Sequence, residues 1–87
     1  MNAKIKQYAK ERDEMLKKCD VAELRKFVNA HKGYYTPEYI NGFNSASDAA
    51  LEIVLHKMIV NAPKLPQALR DKSALWLITH GYDLKIN

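Results

Sequence analysis

Three residues at four-residue intervals are the first place where this chain could do chemistry. Asp48, Glu52 and His56 stand at i, i+4 and i+8, so on a helix they share one edge and their side chains can meet. A carboxylate that orients an imidazole is the pairing used in general acid–base catalysis. The same spacing also describes a solvated helix edge with a charge-assisted hydrogen bond. No Ser or Cys nucleophile signature, Gly-rich phosphate loop or paired glycosidase carboxylates accompany it. The expectation is therefore a protein that is not an enzyme, with no catalytic residue assigned.

His31, His56, His80 and Cys19 are the candidate metal ligands. No two of them have a chelating spacing such as C-x2-C or H-x3-H, so neither a metal nor another cofactor is expected. Cys19 stands among Lys17, Lys18 and Asp20, and neighbouring bases favour the reactive thiolate. It also falls on the apolar stripe of a helix, where a free cysteine acts as a small hydrophobe, and that reading fits better.

Two patterns point to macromolecular partners. Around the turn at 33–36, Tyr34, Tyr35, Tyr39 and Phe43 gather four aromatics. Tyr39 and Phe43 fit a core. Tyr34 and Tyr35, if partly exposed, would make an interface hot spot, because tyrosine joins apolar area to a polar tip; Tyr34, Tyr35 and Tyr39 are the candidate protein-interface residues.

The second pattern is a helix ending at Gly33 and another starting at Thr36-Pro37, the outline of a helix-turn-helix. Asn41 and Asn44 would lie on its recognition face, where Asn can read adenine. Lys10, Lys17 and Arg25 would meet phosphates. Residues 1–32 hold nine Lys/Arg against five acids, whereas residues 33–87 hold five of each, so the whole net charge of +4 sits in the first third. Against this reading, the recognition helix has no Lys or Arg before Lys57, and Asn29 stands where close helix crossing favours a small residue. The reading that follows is a small non-catalytic interaction module whose partner is another protein or a second copy. Nucleic-acid binding is the alternative, and a small enzyme or metal-binding protein has the least support.

The elements that must position these residues are helices. Ile5, Tyr8, Ala9, Met15, Leu16 and Cys19 recur at helical spacing over about 2–18, with Arg12 inside the stripe. Asp20, followed by Glu23, predicts an N-cap for a helix over about 21–32 that carries Val21, Leu24, Phe27, Val28 and His31 on one side; Gly33 would close it in the left-handed conformation. Thr36 and Pro37 predict the start of a third helix, about 37–61, apolar on most of its circumference and hence central. Gly42 and Asn44-Ser45 weaken it, and a break near 42–46 would make two helices of it. Pro66 predicts N1 of a fourth helix, about 66–80, with Gly81 beyond its end. In the alternative, Leu75–Thr79 and Tyr82–Ile86 form a β-hairpin, since Tyr82, Leu84 and Ile86 alternate. Trp76, Leu75, Ile53, Val54, Phe43 and Leu24 are the expected core.

The 87 residues suit one all-α domain, a compact bundle of four helices or of five if the third breaks. Three glycines and three prolines are too few for a turn-rich β fold. No apolar run reaches the roughly 20 residues of a membrane helix, so no membrane partner is expected. One cysteine and a charged beginning without an apolar signal core suggest a reducing, cytoplasmic setting.

Overall fold

The computed structural model describes residues 3–18, 20–35 and 48–86, of which 3–5, 48 and 49 are described as backbone. The chain is an all-α bundle. Among the described residues its helices are α1 (Ala3–Leu16), α2 (Val21–Ala30), α3 (Asp48–Val60) and α4 (Gln67–Thr79), with a 3-10 turn at Lys32–Tyr34. No strand occurs among the described residues. The expected start of the third helix at Thr36-Pro37 and its break near 42–46 lie outside the described residues, as do Cys19, Tyr39, Asn41, Phe43 and Asn44.

The termini follow from local chemistry. Asp20, with extended backbone, accepts hydrogen bonds at Oδ1 from the Ala22 and Glu23 amides (2.9 and 3.3 Å), satisfying two donors that α2 cannot. At the other end of α2 the expectation is corrected. Gly33 is not left-handed but sits inside the 3-10 turn, and among the described residues Gly81 (φ 83°) is the glycine with positive φ. There the Tyr82 amide donates to Leu77 O (2.9 Å) and the Gly81 amide to Ile78 O (3.1 Å), the Schellman pair that closes α4. Pro66 is the residue before α4 rather than its first, and its carbonyl accepts from the Leu69 and Arg70 amides at 3.1 Å.

α3 is the hub. Ala50, Ile53, Val54, Leu55, Lys57, Met58 and Ile59 are all buried, so neighbours cover it on most sides. α4 and α2 both pack on α3, and α1 packs on α2. Leu24 and Val28, one turn apart on α2, enter the same core with Leu77 and Tyr8.

Two core assignments are overturned. Leu75 is 65 % exposed and Trp76 is half-buried. Residues 74–78 are apolar all round, yet α4 has only one flank against α3, and Leu77 fills it. Arg12, on the α1 stripe, is buried; its Nε and Nη2 reach Asp13 Oδ1 (3.3 and 3.2 Å), while Nη1 has no hydrogen-bond partner.

The hairpin is likewise not formed. After Gly81 the chain has no regular secondary structure and bends at Leu84, with Tyr82, Leu84 and Ile86 half-buried against the core. Asn61 Nδ2 donates to Leu84 O (2.9 Å), and the buried Lys57 Nζ donates to Asp83 Oδ1 (2.9 Å). The alternation of the tail is real, but it packs on the helices rather than pairing as a strand.

Candidate functional site

The described aromatics at the turn, Tyr34 and Tyr35, belong to the core more than to the surface. Tyr8 of α1 stacks on Phe27 (5.6 Å between centroids) and Tyr34 (4.9 Å), and meets Tyr35 edge-on at 5.9 Å. Its hydroxyl donates to the Tyr35 hydroxyl over 2.8 Å in the interior. Tyr35 is 1 % exposed, which corrects the expectation that it is partly exposed; Tyr34 is half-buried, and Tyr39 lies outside the described residues. The reason is α1. The sequence around the turn does not reveal that Tyr8, some 27 positions earlier, comes to lie over it.

The basic residues scatter in their pairings. Lys10 is exposed. Lys17 lies 3.4 Å from Glu14, and Arg25 lies 3.1 Å from Glu52 on α3. Asn41 and Asn44, their expected companions, lie outside the described residues.

The helix edge carrying Glu52 and His56 does assemble, with a partner that its spacing could not disclose. His56 Nε2 is 3.8 Å from Glu52 Oε2, and Nδ1 is 2.9 Å from Ser73 Oγ on α4. A proton on Nε2 suits the carboxylate and leaves Nδ1 to accept from the serine hydroxyl. Burial holds the imidazole below its ordinary pKa; Glu52 pulls it up, and Arg25 and His80 push it further down. Serine, imidazole and carboxylate thus follow the order of a nucleophile, its base and its orienting acid. Ser73, however, is 2 % exposed and sits in the middle of α4, where backbone amides are taken by the helical ladder and cannot serve an oxyanion. The chemical effect is a polar tie between α3 and α4.

Beside this tie lies a groove of about 450 Å³ between the start of α2, α3 and α4. Val21, Ile59, Leu69 and Leu75 make its apolar walls, with Trp76, His56 and His80 among its lining. The Trp76 indole stacks on both imidazoles, at 4.3 Å from His56 and 4.2 Å from His80. His80 is the C-cap of α4, and its Nδ1–H donates to Trp76 O over 2.7 Å, the helix-end role its position suggests. Leu75 on the groove wall and Ile78 outside it stand 65 % and 61 % exposed, the large hydrophobics most open to solvent among the described residues. The sequence does place Leu75, Trp76 and Ile78 in one apolar run; it gives no sign of which of them faces out.

Among the described residues no group of three His, Cys, Asp or Glu side chains could hold a metal ion, and no helix is long and apolar enough to cross a membrane. Compared with protein-family models, with curated proteins and with solved structures, the chain matches none of them.

Proposed function

We propose that this chain is a small non-catalytic protein-interaction module that docks a segment of another protein along α4. The observation that carries the reading is the exposure of Leu75 and Ile78 beside a groove lined by Trp76. Exposed apolar area next to a concave aromatic site is what a hot spot needs, and covering such a side chain contributes up to about 1–2 kcal/mol each. The size of the groove also suits a small molecule. A ligand held inside it would leave Ile78 bare, because Ile78 is not part of the lining; a protein segment lying along α4 covers both.

Panning a displayed peptide library against the full chain tests this, with an L75E/I78E double variant as the counter-selection. The expected result is enrichment of apolar peptides that shift the emission of Trp76, the single tryptophan, and lose binding in the double variant. Both substitutions are on the surface, so circular dichroism should show the helices intact. Peptides that bind the variant equally well, or no enrichment at all, would overturn the reading.

A further inference from the structure

Resting on that docking reading, we infer that the segment this groove takes is an amphipathic helix bearing a carboxylate, which Lys72 recognises at the rim. The groove lining holds Arg25, Lys72, His56 and His80 and no Asp or Glu. Arg25 already faces Glu52 at 3.1 Å. Lys72 is exposed and takes part in no ion pair among the described residues. Asp71, its neighbour in sequence, is absent from the groove lining, and its Oδ1 accepts from Gln67 Nε2 at 2.7 Å. The rim therefore offers one unanswered cation over an apolar floor, and the complementary ligand is apolar on one face and acidic beside it.

The secondary structure of the partner follows from that of the site. No strand occurs among the described residues, so there is no described sheet edge to extend. An apolar groove between helices suits an amphipathic helix laid into it, with anchors at i, i+3 and i+4. A second copy of this chain fits less well. A two-fold contact would bring together molecules each carrying a net charge of +4 and would leave the groove without the acidic partner that its lining, free of Asp and Glu, invites.

Fluorescence anisotropy with labelled synthetic helices tests the inference on the full chain. The peptides share one Leu/Phe face and differ in carrying Glu, Gln or Lys beside it. The Glu peptide is expected to bind at least about tenfold more tightly than the Lys peptide, with K72E reversing the order and L75E weakening every peptide. If Glu and Lys peptides bind alike, or the preference for Glu survives K72E, the inference fails while the docking reading stands, provided L75E still weakens binding. If no peptide binds the unmodified chain, both fail. A labelled single-stranded oligonucleotide serves as the control anion: binding that K72E abolishes and L75E spares would assign the rim to nucleic acid and overturn the inference.

Discussion

The indole of Trp76 lies nearly flat on the imidazole of His56, with centroids 4.3 Å apart and planes inclined by 20°. His80 stacks on the same indole at 4.2 Å. A protonated imidazole in contact with an indole quenches its emission, so the single tryptophan reports the charge state of the groove. In an H80Q variant, where His56 is the one imidazole on the indole, acidification should quench Trp76 with a midpoint below the ordinary 6.5, since burial disfavours the imidazolium. A midpoint at or above 6.5 would contradict this environment.

The same burial sets a pH dependence of stability. His56 has a lower pKa folded than unfolded, so between those two values the unfolded chain binds more protons. Stability should therefore fall as pH drops below about 6.5 and level off below the folded pKa. Urea midpoints measured at several pH values across that interval should slope for the natural chain and flatten for H56Q.

Lys57 and Asp83 give a test of asymmetry in a pair with one buried and one exposed member. Lys57 is 6 % exposed and donates to Asp83 Oδ1 at 2.9 Å; that hydrogen bond is the main reason the Asp83 carboxyl titrates below its usual range. D83N weakens the partner of a buried ammonium and should destabilise by about 1–3 kcal/mol, at the low end because Asp83 is open to water. K57M removes the charge along with its need for a partner and should cost less than D83N. Thermal melts of the two variants decide it; equal losses would mean the ion pair itself, not the stranded charge, sets the cost.

Leu77 and Leu75 are two positions apart on α4 and should behave oppositely. Leu77 is fully buried, and Leu77→Ala should cost about 2–5 kcal/mol. Leu75→Ala, at a site 65 % exposed, should stay within about 0.5 kcal/mol. Chemical denaturation of both variants checks the orientation of α4, and a large loss at Leu75 would show it rotated.

Asp20→Ala removes the side chain that accepts from the Ala22 and Glu23 amides and should lower stability by about 1 kcal/mol. Asp20→Asn, which keeps the acceptor, should recover most of it. The comparison separates capping from the charge of the aspartate.

Much of the helical frame was legible in the residues. Asp20 announced its cap because the chemistry of a helix start is complete within four residues. Gly81 announced a helix end for the same local reason, as only glycine readily takes the left-handed conformation there. Gly33 carried the same signal without the same outcome. The 3-10 turn at Lys32–Tyr34 continues the chain without a left-handed residue, and it brings Tyr35 beneath Tyr8. Of the candidate site, the sequence disclosed the helix edge beside the groove, Glu52 and His56. It could not supply Ser73, 17 positions away on the next helix, because a hydrogen bond between helices depends on their crossing and not on spacing.

The sequence by itself determined that this chain is all-α, where several of its helices begin and end, and that α3 is central. These follow from periodicity, caps and composition, whose physical range is a turn or two of backbone. The tertiary structure alone decided which apolar residues are core. In the run 74–78 every side chain is suited to burial; α4 has a neighbour on one flank, so Leu77 is enclosed while Leu75 and Ile78 meet water. It also decided that Tyr8 packs on Tyr34 and Tyr35 of the turn and that a groove opens beside Trp76. Burial is a relation between elements far apart in sequence, and no local pattern contains it.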